Sequence, residues 1–152
     1  MTQFKDYSSF PEVKTEQTED GAFRRQSNFF RGRFGSAQGQ NPVEKDRYRL
    51  LVSTGCGWSR RILIIRRLLN LEDAISVGYT TGRSDDGWHF SRSEGGVDEV
   101  FQEPFLNDLY SNTNPNYVGR GTVPTVADTT NAQVVSNDYH ALGYEVATVW
   151  KP

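Results

Sequence analysis

Residues 48–70 constrain the fold more than any other stretch. Tyr48-Arg-Leu-Leu-Val-Ser53 is a short apolar run of the kind that forms a buried strand. Thr54-Gly55-Cys56-Gly57 breaks it. From Trp58 to Asn70, apolar Ile62, Leu63, Ile65, Leu68 and Leu69 recur at helical spacing among Arg60, Arg61, Arg66 and Arg67. Ala74–Thr80 is β-rich again, so strand, helix and strand make one parallel βαβ unit. Further on, a helix is expected from about Pro104 to Asn112, stopped by Asn114-Pro-Asn-Tyr117. Thr122-Val-Pro-Thr-Val-Ala127 and Ala132-Gln-Val-Val135 flank a turn and predict a hairpin. Asn137 or Asp138 caps a last helix from Tyr139. The polar, glycine-bearing stretch 81–96 lacks a phosphate-loop pattern and reads as a mobile flap carrying Trp88 and Phe90.

The order strand, helix, strand, helix, strand, strand, helix gives an α/β chain with one mixed sheet, the βαβ-ββα order of a thioredoxin-like domain. At 152 residues and 17.2 kDa there is room for one such domain, expected over 46–152. Residues 1–45 show no sustained period, yet they hold Phe4, Tyr7, Phe10, Phe23, Phe29, Phe30 and Phe34. A freely solvated tail rarely carries so many rings, so this segment is expected to be an irregular, aromatic-rich arm that docks.

Cys56 is the only cysteine, which excludes an internal disulfide and a cysteine-rich zinc site. It falls where a strand ends and a helix begins, where unpaired backbone N–H groups favour a thiolate and a nucleophile near neutral pH. Arg60 and Arg61, one turn on, add to that field. Ser59 stands where a dithiol oxidoreductase has its second cysteine, so the pattern suits one-thiol chemistry: attack, a mixed disulfide, and release by a second small thiol. The alternative is a small buried hydrophobe. Val123-Pro124 opens a strand-like run and demands an edge, a bulge or a cis bond.

Function classes narrow further. Net charge is −2, so bulk charge does not point to nucleic acid, although Arg24, Arg25, Arg31 and Arg33 interleave with aromatic rings in the arm. Self-packing of that arm is the favoured reading over an RNA-associated one. The longest apolar run, Ile62–Ile65, is too short to span a membrane, and no signal peptide is visible. His89 and His140 have no ligand cluster near them, so no metal is expected. The expected compartment is a reducing cytoplasm. The helix arginines read most simply as a solvated face.

Five segments appear in order: Tyr48–Arg61, Leu71-Glu-Asp-Ala-Ile-Ser-Val77, Asp86-Gly-Trp-His-Phe90, Asn114-Pro-Asn-Tyr-Val-Gly-Arg-Gly-Thr-Val-Pro124 and Val134-Val-Ser-Asn137. Together they resemble the N-terminal thioredoxin-like domain of the glutathionyl-hydroquinone reductases, the Xi class of glutathione transferases, over about residues 28–140. The resemblance implies glutathione as co-substrate and a quinone-type aromatic conjugate as substrate. It implies Cys56 as nucleophile, Trp88 stacking on glutathione, Arg120 at its charged end, and Val123 offering backbone hydrogen bonds ahead of a cis Pro124. Where the family has Asn-Glu-Ser, this chain has Asn137-Asp138-Tyr139. Asp138 is then expected to pair with the ligand ammonium, and Tyr139 replaces a carboxylate-binding serine. Cys-Pro-Trp-Ala becomes Cys56-Gly57-Trp58-Ser59. These departures suggest a divergent branch, with a thiol related to glutathione as the other candidate. The family continues into a helical domain that supplies most of the quinone pocket and the homodimer contacts, and this sequence stops before it. The expectation is therefore a truncated chain. The alternative function is a non-catalytic thiol-binding or partner-docking domain.

Overall fold

In the computed structural model, residues 18–150 are described. The arm aromatics Phe4, Tyr7 and Phe10 lie outside them. The elements are β1 (Tyr48–Val52), α1 (Gly57–Leu68), β2 (Ile75–Tyr79), β3 (Gly82–Ser84), β4 (Gly87–His89), α2 (Leu106–Thr113), β5 (Thr125–Asp128), β6 (Gln133–Ser136) and α3 (Tyr139–Thr148). Four strands form a mixed sheet in the order β2-β1-β5-β6, with β1 parallel to β2 and antiparallel to β5.

β1 is central, and all five of its residues are buried, which is why it reads as a near-continuous apolar run. Its alternation sorts the core into two layers. Tyr48, Leu50 and Val52 face α1 and α3, where Ile62, Ile75, Val126, Leu142, Val146, Trp150 and Phe34 pack. Leu51 faces α2, with Phe90, Leu106, Leu109, Tyr110, Tyr117, Val123, Ala127 and Val134. Arg49 shares that second face and is buried. Asp98 meets its Nε at 3.0 Å and is itself buried, while Glu99 and Ser76 take the remaining donors at 2.9 and 3.3 Å.

α1 ends two residues earlier than the apolar pattern suggests. Asn70 adopts φ +52, and the N–H groups of Asn70 and Leu71 return to the carbonyls of Arg67 and Arg66 at 3.2 and 2.9 Å. This is the Schellman stop, with Asn in the left-handed position and buried Leu71 behind it. Arg60, Arg61 and Arg67 are exposed, as a solvated face requires, while Arg66 is half-buried. Arg66 donates to the carbonyls of Ile75 and Glu72, and Arg67 pairs with Glu72.

Stretch 81–96 is not a loose flap. It contains the β3–β4 hairpin, and Phe90 just after it is wholly buried. Three-residue strands with polar tips show too little alternation to be read from sequence.

The arm from residue 28 on packs along the edge of β6. Arg31 bridges Ser136 in antiparallel sense, and the Gly32 N–H donates to Val135 O at 2.9 Å. A Cβ on Gly32 would stand 2.5 Å from that same oxygen, so only glycine approaches this closely. The edge is thus covered rather than left open. Phe34 inserts beside Tyr48 and Trp150, edge-on to both at 5.0 and 5.6 Å. No helix among the described residues is long and apolar enough to cross a membrane.

Asp98→Ala leaves a guanidinium buried in the central strand. The expected loss of unfolding free energy is about 3 kcal/mol, at the lower end for a broken buried pair because Glu99 still reaches Arg49. Urea denaturation with an unchanged slope is the check.

Candidate functional site

Cys56 is the N-cap of α1, in extended conformation. Its N–H donates to Ser53 O at 3.1 Å, and its carbonyl accepts the Arg60 N–H at 3.0 Å, the first turn of the helix. The first turn carries no acid. The thiol is half-buried and directs its S–H to the carbonyl of Val123 at 3.6 Å. The Val123-Pro124 peptide is cis. The N–H of Val123 has no hydrogen-bond partner among the described residues. Gly57, next to the thiol, has open space where a side chain would stand.

Ser59 is not at the thiol. It is fully buried, and its Oγ accepts the N–H of Ser53 at 3.3 Å, fastening the turn between β1 and α1. The arginines one turn on are also engaged elsewhere. Arg60 donates to Thr54 O at 2.6 Å. Arg61 donates to the carbonyls of Tyr139 and His140 at 2.9 and 3.4 Å and lies over the Trp58 ring at 5.0 Å, tying α1 to the start of α3.

Two buried residues of α2 organise the site, and neither stood out in the sequence. The Tyr110 hydroxyl sits among the Thr122 backbone (3.2 Å to its carbonyl) and the Thr125 Oγ1 (2.5 Å). Burial pushes its phenol above the ordinary range. Asn107 accepts the Gly121 N–H at 2.5 Å and donates to Asp86 O at 3.0 Å. It therefore links the loop ahead of Val123 to the hairpin bearing Trp88. Trp88 and Cys56 pack, half-buried, against the same core layer.

Arg120 is held through its backbone. Gln26 of the arm accepts its N–H at 2.9 Å and donates to its carbonyl at 2.7 Å, and Tyr117 OH adds 3.0 Å. Asn137 is fully buried and exchanges hydrogen bonds with Phe30 of the arm while donating to Thr122 Oγ1 at 3.1 Å.

The structure turns Asp138 toward the arm. Arg33 meets its Oδ2 at 2.6 Å, and Asn28 reaches its Oδ1 at 3.4 Å. Burial pushes this carboxyl up, but the Arg33 guanidinium outweighs it and holds the group below the usual range. Tyr139 lays its ring on Trp58 at 4.6 Å, and Arg25 covers it at 4.7 Å. Two turns along α3, burial pushes the Glu145 carboxyl up. Its Oε1 accepts the Phe34 N–H at 3.1 Å, and its Oε2 has no partner among the described residues. The sequence-expected residues thus fall into two groups. Cys56, Val123, Pro124 and Trp88 converge on the α2-side core, whereas Arg120, Asp138 and Tyr139 are each contacted by the arm.

Among the described residues, no group of three or more His, Cys, Asp or Glu is arranged to hold a metal ion. A cavity of about 380 Å³ lies on the His89 side of the hairpin, lined also by Ser84, Ser91, Gly96 and Phe105, and shares no residue with the thiol site.

A thiol at a helix start facing a cis-proline loop on a β2-β1-β5-β6 sheet defines a thioredoxin-like domain, and comparison with known proteins agrees. No protein-family model matches the sequence. The chain is similar to glutathione S-transferase omega-like 2 of Schizosaccharomyces pombe, 38% identical over 125 residues, 80% of this chain and 39% of that protein. It is also similar to the glutathionyl-hydroquinone reductase YqjG of Escherichia coli, 38% identical over 128 residues, 78% of this chain and 39% of that one. The glutathione-bound YqjG structure superposes with a TM-score of 0.72 at 36% identity, covering 80% of this chain and 43% of YqjG. The Xi-class transferase from Natrialba magadii gives 0.72 at 34%, with 84% and 41% covered. Over this shared span the chain is similar to the glutathionyl-hydroquinone reductases, the Xi class of glutathione transferases. It spans about two-fifths of the length of the curated relatives it matches.

The two perturbed carboxyls pull stability in opposite directions with pH. Asp138, depressed in the fold, contributes stability above its unfolded pKa of about 3.9 that is lost as pH falls through the folded value. Glu145, raised in the fold, contributes stability below its unfolded pKa of about 4.3 that is lost as pH rises through the folded value. Asp138→Asn is therefore expected to remove a contribution of about 1 kcal/mol or less at pH 7, because Arg33 is partly exposed, and progressively less as pH falls through the folded value. Glu145→Gln is expected to raise stability at pH 7. Denaturation curves across that range test both signs.

Proposed function

We propose that this domain carries out glutathione-dependent thiol transfer, reducing glutathionyl-hydroquinones through a mixed disulfide on Cys56. The observation that carries the reading is the Cys56 thiol at the first turn of α1, 3.6 Å from the carbonyl of Val123. The similarity to a glutathione-bound relative supports glutathione as the co-substrate.

Cys56 stands at the N-terminus of α1, and no acidic side chain lies in the first turn of that helix. The unpartnered Val123 N–H and its carbonyl offer an extended thiol peptide a short strand to pair with. Trp88 supplies an aromatic face, and Arg120 a cation for the ligand's charged end. Asp138 and Tyr139 border the other end, beside Trp58.

In the first step the Cys56 thiolate attacks the glutathionyl sulfur. A sulfur–sulfur bond forms, the aryl carbon–sulfur bond breaks, and the aryl carbon leaves with the electron pair and takes up a proton as the hydroquinone. In the second step a glutathione thiolate attacks the glutathionyl sulfur of the mixed disulfide. Glutathione disulfide leaves and the Cys56 thiolate returns. Two glutathione sulfurs are oxidised and one aromatic conjugate is reduced.

Incubation with glutathione disulfide followed by intact-mass measurement is the test. One glutathione is expected on the wild-type chain, none on Cys56→Ser, and conversion of a glutathionyl-hydroquinone only where the adduct forms. A wild-type chain that takes no glutathione overturns the catalytic reading and leaves a thiol-binding or docking domain.

A further inference from the structure

The polar end of the thiol site is built largely by the arm. Gly32 N–H to Val135 O, the paired bonds between Phe30 and Asn137, and Phe34 N–H to Glu145 fix the backbone on both sides of Arg33. Asn41 secures the Arg33 carbonyl with its N–H and its Nδ2 at 2.7 and 3.1 Å. The Arg33–Asp138 contact is therefore made between two anchored elements 105 residues apart, and is not a loose surface pair.

With Arg33 on one oxygen and Asn28 on the other, Asp138 offers an incoming cation a carboxylate whose charge is already matched. Arg33 is the cation that meets this carboxylate. Other arginines stand on its neighbours: Arg25 over Tyr139, Arg31 on Asn28 O, and Arg61 on the carbonyls of Tyr139 and His140.

We propose that Arg33 sets the specificity of this end: by occupying Asp138 it removes the advantage of a ligand ammonium, so the site accepts a thiol whose distal end is a carboxylate alone as readily as it accepts glutathione. The substrate class is a carboxylate-bearing thiol peptide with a masked or missing amine, such as an N-acyl or des-amino γ-glutamyl thiol. This rests on Cys56 thiol transfer as proposed above. Specificity here is a difference between two ligands, achieved by leaving one of them unpaired.

The full chain is incubated with the disulfide of glutathione and, separately, with that of glutaryl-cysteinyl-glycine, which lacks only the ammonium. Adduct formation on Cys56 is followed by intact mass. The expected wild-type rates differ by less than about threefold, and Arg33→Gln raises the preference for glutathione about tenfold by freeing Asp138. Arg33→Lys keeps the charge and the wild-type ratio, and Asp138→Asn added to Arg33→Gln abolishes the gained preference. Thermal melts confirm that each variant is folded. A wild-type preference for glutathione of tenfold or more, or an unchanged ratio in folded Arg33→Gln, overturns the proposal while leaving thiol transfer standing. Absence of any adduct with either disulfide overturns thiol transfer and this proposal together.

Discussion

The loop entering β5 crosses the interior, and its backbone groups need partners there because water does not reach them. Tyr110 and Asn107 of α2 supply them at Thr122 and Gly121, and Asn137 closes the network from beyond β6 by donating to Thr122 Oγ1. All of these residues are buried. A half-satisfied set would cost more than an apolar core, so the network fixes one arrangement of the loop. That arrangement sets the Val123 carbonyl beside Cys56. Through Asn107 and Asp86 O it also fixes the turn of the hairpin that presents Trp88.

The arm is joined to the same network. Phe30 exchanges two hydrogen bonds with Asn137, and its ring stands edge-on to Tyr110 at 5.1 Å. Phe29 and Phe30 both pack on Tyr117, whose hydroxyl accepts from Gln26 and donates to Arg120 O. The rings therefore do for the arm what regular hydrogen bonding does for a strand. They supply the buried area that offsets the entropy of ordering an irregular segment. Polar contacts at Arg120, Asp138 and Tyr139 follow from where those rings seat the chain.

What could be read from the sequence was what short-range pattern encodes. The apolar run of β1, its break at Gly55-Cys56-Gly57 and the helix after it gave the βαβ unit and the placement of the thiol. The hairpin boundaries slipped by one to three residues, most at the start of β5, where Pro124 has no N–H to give a ladder and the strand opens at Thr125. Arg49 inside a buried strand was silent, since its partner Asp98 lies 49 residues away and no local spacing couples them. Arg33 and Asp138 were equally invisible as a pair. The arm showed its aromatic content but not its register on β6, which depends on one glycine able to approach Val135 O. Tyr139 was legible as a departure from the family pattern, while its stacking on Trp58 depends on the α1–α3 packing.

The role of Ser59 bears on the chemistry itself. A dithiol site needs its second sulfur within reach of the first. Here position 59 is fully buried, and its hydroxyl is committed to the Ser53 N–H that closes the turn ahead of Cys56. With one cysteine in the sequence, any disulfide formed at Cys56 is with another molecule, and only another molecule's thiol can reopen it. Such a site must stay open to approach from outside. The exposed Gly57, with nothing near where its side chain would be, leaves that path clear on the helix side of the sulfur. The buried serine and the uncovered glycine thus serve one requirement: a turn rigid enough to aim a single thiol, with space in front of it for the partner that must take the sulfur away.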